Sequence, residues 1–315
     1  MDSQLYDYII IGAGAAGLAS GQYSARAGLN TLIIDFTASG GQALNIASLE
    51  NYPGIFPGIT GTEFAARMER QTAAFGAQII QTGVQFIDKK ENRFVVGTQS
   101  GLFSSYALLI ATGATHRELG VPGEKELTGT GVSYCATCDG PFFKNRKIIV
   151  VGGGDSACDE AVYLATLSPD ITLVHRRGQL RAQKAVAEKL LANAAVSIRY
   201  NSILKEIRGS GHVSSVLLAD VLSGRETELP ADAVFIFAGM IPRTELVPML
   251  PVDEGGYIKT NEKMETGIPG LFCAGDVRSK VFRQLITAAA DGAVAAYEAE
   301  KYVYSVKHSP AGDAA

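Results

Sequence analysis

The chain lacks most of what marks a scaffold, a membrane protein or a nucleic-acid binder. Four cysteines in 315 residues are too few for a disulfide framework. No apolar run reaches the length of a membrane span. A net charge of −4 leaves no basic footprint for nucleic acid. The N-terminus enters an apolar strand-like run without the basic segment and hydrophobic stretch of a signal peptide, so the expected compartment is the cytosol. There a close cysteine pair is more often catalytic or metal-binding than structural. Glycine and apolar residues are plentiful, 35 glycines and 47% hydrophobic residues, enough for large cores with many tight turns. The length suggests two domains.

Two of the glycine clusters have the same context. Gly12-Ala13-Gly14-Ala15-Ala16-Gly17 follows the apolar run Tyr8–Ile11, and Gly152-Gly153-Gly154-Asp155-Ser156-Ala157 follows Ile148–Val151. Each reads as a buried parallel strand turning into a helix. The first Gly permits the turn. The second lets backbone approach a pyrophosphate, which sits at the helix N-terminus where N–H groups lack partners. The third small residue, Gly17 or Ala157, lets helix and strand pack closely. One such fingerprint is weak evidence; two imply two dinucleotides.

The strand after each fingerprint should end where the adenosine ribose is met. Asp35 follows Gly12 at the same offset at which His175 follows Gly152. Asp35 suits a ribose 2′-hydroxyl and repels a 2′-phosphate. His175, Arg176 and Arg177, with Arg181 close behind, suit a phosphate, so the second site should prefer NADPH over NADH. Adjacent arginines are usually solvated surface residues; the matching offset favours the phosphate role. The first unit is the longer, since more chain separates Gly12 from Gly113 than Gly152 from Gly239. The surplus lies in a loop carrying Gly40-Gly41-Gln42 and Glu50-Asn51-Tyr52-Pro53-Gly54. A larger ligand, FAD, fits the first site better than NAD. Leu271-Phe272-Cys273-Ala274-Gly275-Asp276 reads as a buried strand whose Asp276 either meets a ribityl hydroxyl or pyrophosphate or caps a turn.

Cys135-Ala136-Thr137-Cys138 precedes the second fingerprint. A zinc site needs two more ligands; Cys158 and Cys273 fall in helical and buried-strand patterns, and the histidines are scattered. Redox cycling of the pair is the better reading. Asp139 can exchange a proton with a thiol or serve as a turn residue before Gly140. Further along, an amphipathic helix is expected near Thr62–Phe75 with Phe64, Met68 and Phe75 facing the core, a hairpin at Gly209–Gly211, and a long helix from Gln284 to about Val303. The final segment, from Ser309 on, reads as a frayed tail.

Taken in order, these motifs resemble the low-molecular-weight thioredoxin reductases over nearly the whole chain. Ala111-Thr112-Gly113, Gly275-Asp276-Val277 and Arg283-Gln284 add to the likeness. Asp35 stands where that family often has Glu, and Tyr52 where some members have Trp. The resemblance implies an α/β chain of two Rossmann-like three-layer domains, the FAD-binding one being discontinuous (1–114 and 245–315) and holding an inserted NADPH-binding domain (115–244). It places FAD on Gly12, Gly14, Ala15, Ala16, Gly17, Asp35, Phe36, Gly40, Gly41, Gln42, Asn51, Val84, Ala111, Thr112, Gly113, Gly275, Asp276, Arg283, Gln284 and Leu285. NADPH falls on Gly153, Gly154, Asp155, Ser156, His175, Arg176, Arg177, Arg181 and Gly239. Cys138 would lie against the flavin, Cys135 would attack the substrate disulfide, and Asp139 would act as acid–base. Hydride would pass from NADPH to the flavin, then to the Cys135–Cys138 disulfide, then to thioredoxin, with rotation of one domain between half-reactions. A homodimer is implied, and no metal, nucleic acid or membrane. Three other readings are a flavin subunit of a peroxide-reducing system, whose extra N-terminal redox domain has no room here, a flavin-dependent dithiol oxidase, against which the arginines argue, and a non-catalytic NADP-binding sensor with a regulatory disulfide, which would be colourless.

Overall fold

The computed structural model describes residues 4–46, 49 and 51–308; Glu50 and the segment from Ser309 on lie outside them. The chain divides into two units, Met1–Thr115 with Ile241–Ala315, and His116–Met240.

The first unit opens with β1 (Gln4–Ile11), α1 (Ala15–Arg26), β2 (Thr31–Asp35) and α2 (Gly61–Ala74). Strands β3 (Gln78–Gln81), β4 (Val84–Lys90), β5 (Arg93–Thr98) and β6 (Gly101–Ile110) follow. Chain leaves the unit through β7 (Ala114–His116). The second unit contains β8 (Val132–Ser133), α3 (Ala136–Asp139), β9 (Ile148–Val151), α4 (Asp155–Ala165), β10 (Ile171–Val174), α5 (Lys184–Leu191) and β11 (Val196–Arg199). It continues with β12 (Ser202–Gly209), β13 (Val213–Asp220), β14 (Glu226–Pro230) and β15 (Ala233–Ile236). The return runs through β16 (Met240–Pro242) to β17 (Leu271–Cys273) and α6 (Leu285–His308).

In the first unit the sheet order is β3-β2-β1-β6-β5-β4, with β17 also paired to β6. Strands β3, β2, β1, β6 and β17 are mutually parallel, and β4-β5-β6 is an antiparallel meander. A parallel sheet covered on both faces needs apolar side chains at every position rather than at alternate ones. Accordingly Tyr8, Ile10, Ile33 and Leu109 pack into one core with α1 and α6 residues, while Ile9, Ile11, Leu32, Ile34, Leu108 and Ile110 pack into a second. In the second unit the parallel order is β11-β10-β9-β15-β8, beside an antiparallel β12-β13-β14 sheet. Each fingerprint strand, β1 or β9, lies where the strand order reverses direction. There, the crevice at the carboxyl ends of the strands takes ligands in open α/β sheets.

Helix α2 begins where Thr60 accepts the Glu63 N–H at 3.1 Å, the short-range capping that Ser and Thr provide. Phe64 is buried and Met68 half-buried as expected, but Phe75 is 41% exposed. The reason is local: Phe75 caps the helix, and Gly76 at φ +97° turns the chain out of the helical period. The β12–β13 turn needs Gly209, since a Cβ there would stand 1.8 Å from the His212 carbonyl oxygen. Helix α6 runs beyond the expected end, to His308. Among the described residues no helix is long and apolar enough to cross a membrane.

Candidate functional site

In the first unit the fingerprint closes tightly around its own backbone. Gly12 sits at φ +109°, and a Cβ there would meet the Ala111 carbonyl oxygen at 2.3 Å. A Cβ on Gly17 would stand 1.8 Å from the Gly12 carbonyl oxygen, so α1 can leave the strand this closely only with Gly17. Gly14 is the opposite case: nothing lies within 4 Å of its missing Cβ. It is the N-cap of α1 and offers no side-chain cap. The first α1-type bond is Leu18 N–H to the Gly14 carbonyl, so the N–H groups of Ala15, Ala16 and Gly17 have no intrahelical acceptor. An open, uncapped helix N-terminus without acidic side chains in its first turn fits a pyrophosphate.

The surrounding loops are tied to this turn. The Gly40 N–H donates to the Ala13 carbonyl at 2.8 Å, bringing Gly40 and Gly41 against Gly14. Gln42 Nε2 donates to the Ala114 carbonyl at 3.1 Å. Thr112 Oγ1 donates to the Arg243 carbonyl at 2.6 Å, and Arg243 N–H donates to the Gly113 carbonyl at 3.0 Å. Asn51 Nδ2 reaches Gln284 Oε1 at 3.1 Å, joining two predicted residues 233 positions apart. Leu285 starts α6 and packs half-buried on the core. At the end of β2, Asp35 Oδ2 accepts the Ala13 N–H at 2.6 Å, and Oδ1 accepts the Thr37 N–H and hydroxyl at 2.8 and 3.1 Å. Phe36 next to it is 71% exposed, and Val84 starts β4 beside the Gly83 backbone that the Phe36 ring approaches.

Around Asp276 the structure gathers residues that local sequence patterns did not single out. Lys280 Nζ lies 3.2 Å from Asp276 Oδ1 and 3.1 Å from Asp291 Oδ2. Arg278 pairs with Asp291 Oδ1 at 2.8 Å, and the Gly275 N–H donates to Asp291 Oδ2 at 3.1 Å. Asp276 Oδ1 is nevertheless buried without a hydrogen bond, as is Arg283 Nε, whose guanidinium stacks 3.6 Å over the Tyr257 ring. Buried polar atoms are normally satisfied, so these atoms mark a place for a polar ligand. Gly292 belongs to the same corner: a Cβ there would stand 2.0 Å from the Ala16 carbonyl oxygen, so the close approach of α6 to the fingerprint helix at this point requires glycine. The signals were present as a buried-helix Asp and Gly, but their partners come from other elements, Ala16 from near the opposite end of the chain. The open Gly14, the bare helix start and the Asp276 oxygen, ion-paired to Lys280 but without a hydrogen bond, together fit a dinucleotide.

In the second unit a Cβ on Gly153 would meet the His175 ring at 2.2 Å, so the imidazole lies flat on the fingerprint. Gly154, the α4 N-cap, again has open space at its missing Cβ and no side-chain cap. Arg181 N–H donates to the Gly153 carbonyl at 2.7 Å, fixing the arginine loop to the turn. Asp155 accepts from Gln183 N–H and Nε2 at 2.7 and 2.6 Å, and Ser156 is exposed in the first turn of α4. Arg176, Arg177 and Arg181 are exposed, and no ion pair involves them among the described residues. Burial pushes the His175 pKa below its ordinary value, helped by Arg181 and Arg177, and its buried Nε2 has no partner. Gly239 stands at φ +113°, its carbonyl accepting the Arg117 N–H at 2.9 Å.

The dithiol segment also lies in the second unit. Cys135 is disulfide-bonded, whereas Cys158 and Cys273 are free and buried; the side chain of Cys138 is outside the described residues. Ser133 Oγ accepts the Cys135 N–H at 3.0 Å and donates to the Cys135 carbonyl at 3.2 Å. The Asp139 N–H donates to the same carbonyl at 3.2 Å. Just upstream, the wholly buried Glu124 accepts the Leu119, Gly120 and Val121 N–H groups and the Tyr134 hydroxyl, the last at 2.7 Å. No cluster of metal-ligating side chains occurs among the described residues.

Two nucleotide folds, one carrying a disulfide-bonded cysteine in a Cys-x-x-Cys segment, define a disulfide oxidoreductase. Residues 6–292 match the family model for pyridine nucleotide-disulphide oxidoreductases. The thioredoxin reductase of Treponema pallidum (strain Nichols) is 52% identical over 96% of this chain and 99% of its own. That of Bacillus subtilis (strain 168) is 44% identical over 98% of both chains. The crystal structure of Lactococcus lactis thioredoxin reductase in its FR conformation superimposes with a TM-score of 0.92 at 41% identity, covering 95% of this chain and 99% of that one. The chain belongs to the pyridine nucleotide-disulphide oxidoreductases and, within them, to the thioredoxin reductase family. It therefore uses a flavin and a pyridine nucleotide.

Proposed function

We propose that this chain is an NADPH-dependent, FAD-containing thioredoxin-disulfide reductase, working through a Cys135–Cys138 pair. The observation that carries the reading is the contrast between two otherwise equivalent sites. The first ends in a carboxylate, Asp35. The second ends in arginines without an ion-pair partner among the described residues, and a disulfide-bonded Cys135 shares their unit.

Gly12, Gly14, Ala15, Ala16 and Gly17 would hold the FAD pyrophosphate, Asp35 the adenosine ribose, and Phe36 and Val84 the adenosine end. Gly40, Gly41, Gln42, Asn51, Ala111, Thr112 and Gly113 would line the isoalloxazine side. Gly275, Asp276, Arg283, Gln284 and Leu285 would close the ribityl end. Bound there, FAD supplies a two-electron relay between nicotinamide and disulfide. Gly153, Gly154, Asp155, Ser156 and His175 would seat the second pyrophosphate and ribose, with Arg176, Arg177 and Arg181 taking the 2′-phosphate and Gly239 the nicotinamide side. Cys135 attacks the substrate disulfide, Cys138 resolves the mixed disulfide by attacking Cys135 Sγ, and Asp139 exchanges the proton. The two units turn relative to each other between half-reactions, and the working form is a homodimer in the cytosol.

Purified enzyme should oxidise NADPH far faster than NADH, and only when an oxidised thioredoxin is supplied. Cys135→Ser should keep NADPH-driven bleaching of the flavin and lose thioredoxin turnover. Full turnover in that variant would refute the route.

A further inference from the structure

The sulfur of Cys135 has a side-chain partner that no motif assigned to it. Thr137 Oγ1 lies 3.4 Å from Cys135 Sγ. A disulfide sulfur carries no proton, so in this state the donor of that contact is the Thr137 hydroxyl. Ser133 meanwhile clamps both the N–H and the carbonyl of Cys135, fixing its backbone while Thr137 addresses its sulfur. Ser133 is buried and Thr137 half-buried, so the hydroxyl is held at a sulfur that stays partly accessible.

We propose that the Thr137 hydroxyl is a catalytic group of the dithiol: it donates a hydrogen bond to the Cys135 sulfur and stabilises the thiolate that forms there. The inference rests on the reading of this pair as the exchange centre. When an electron pair derived from the nicotinamide substrate enters the Cys135–Cys138 bond, that bond breaks and leaves a thiolate on each sulfur, the one on Cys135 within reach of the Thr137 hydroxyl. The thiolate then attacks one sulfur of the protein disulfide. A new S–S bond forms to Cys135, and the other substrate sulfur leaves as a thiolate that takes up a proton. The Cys138 thiolate next attacks Cys135 Sγ, reforming the internal disulfide and expelling the second substrate sulfur as a thiolate that takes up the second proton. Thr137 thus serves the cysteine that is leaving group, nucleophile and electrophile in turn, and a donor favours its charged form each time it becomes a thiolate.

The test uses reduced holoprotein carrying Cys138→Ser, in which Cys135 is the reactive thiol because Cys158 and Cys273 are fully buried. Its alkylation by iodoacetamide is followed against pH, with mass spectrometry locating the adduct. Adding Thr137→Val should move the midpoint up by about one pH unit, the order expected for one hydrogen bond to a charged group. Below both midpoints the thiolate fraction falls about tenfold while its intrinsic nucleophilicity rises about threefold, so the rate drops roughly threefold. Thr137→Ser should restore the original midpoint, which a merely packing role for the threonine methyl would not do. If Thr137→Val loses its flavin or melts early, Thr137→Ala against Thr137→Ser makes the same comparison. Midpoints coinciding within about 0.2 unit in all variants would overturn the proposal. A parent enzyme that fails to reduce thioredoxin, yet shows the midpoint shift, would instead sink the functional reading and leave the thiolate contact standing.

Discussion

Arg176, Arg177 and Arg181 stand exposed around a glycine turn, with no carboxylate paired to them among the described residues. A guanidinium pair with no protein partner keeps its donors for a ligand, and the fork geometry suits phosphate oxygens. Replacing Arg176 and Arg177 together by Ala should lower the NADPH-over-NADH ratio of kcat/KM by roughly 30- to 150-fold, about 2–3 kcal/mol of charge-assisted hydrogen bonding. Steady-state kinetics with both coenzymes reads this directly; an unchanged ratio would put the phosphate elsewhere. Asp35 is a different case. Its carboxylate offers about four acceptor places, and Ala13 and Thr37 already fill three. The place left is on Oδ2, enough for one ribose hydroxyl. Asp35 is therefore as much a tie between β2 and the fingerprint turn as a ligand residue, a double duty that the strand-end position alone did not disclose.

Helix α4 shows how an element carries the site and its own electrostatic cost. Its N-terminus is left bare at Gly154, while Glu160, on its second turn, is pushed up to about 7, first by burial and then by neighbouring Asp159. The ordinary value is 4.5, so between these pH values the folded chain holds a proton that the unfolded chain has released. Folding stability therefore falls as pH rises through this window, and the loss is complete above about 7. Glu160→Gln should match the parent at pH 4.5 and exceed it at pH 8 by about 2–3 kcal/mol in the stability of the second unit. Denaturant unfolding of parent and variant at the two pH values checks it; equal stability at pH 8 would show the carboxyl to be solvated. The same helix explains what could be read from the amino acids alone. Strand β9, the glycines of its turn and the arginines that follow β10 are local patterns of period and spacing, and these were legible. So was the fold class, because runs such as Ile148–Val151 are apolar at every position. The corner at Asp276 was not legible. Asp291, Arg278 and Lys280 read as ordinary polar residues until α6 folds back, and Gly292 reads as a weak point in a helix until Ala16 is found against it. Phe75 failed for the converse reason, since helical period continues on paper past the residue where Gly76 ends it.

At the scale of the molecule, the chain passes between its units only twice, at Thr115–His116 and at Met240–Ile241. Hydrogen bonds bracket these crossings from both sides. Within the first unit Arg243 N–H holds the Gly113 carbonyl, and within the second Arg117 N–H holds the Gly239 carbonyl. Backbone that belongs firmly to one unit or the other thus ends at these bonds. Any rotation must be absorbed by residues 114–116 and 240–242, and the second stretch is already restricted because Ile241 precedes Pro242. Strands β7 and β16 pair as a two-stranded ribbon, so the torsional change falls on this ribbon, of which β7 is the strand without a proline. A proline in place of Thr115 would lock φ in the narrow range its ring allows and remove a donor, whereas alanine there leaves φ free. Thr115→Pro should slow thioredoxin turnover about tenfold, a barrier increase of about 1.4 kcal/mol, while Thr115→Ala stays near the parent rate. NADPH affinity, measured by fluorescence titration, should be the same in all three, because Arg176, Arg177 and the glycine turn lie wholly inside the second unit. Parent-like turnover in Thr115→Pro would mean that the half-reactions need no pivot at β7, and loss of NADPH affinity would mean that the substitution disturbs the unit itself rather than its freedom to turn.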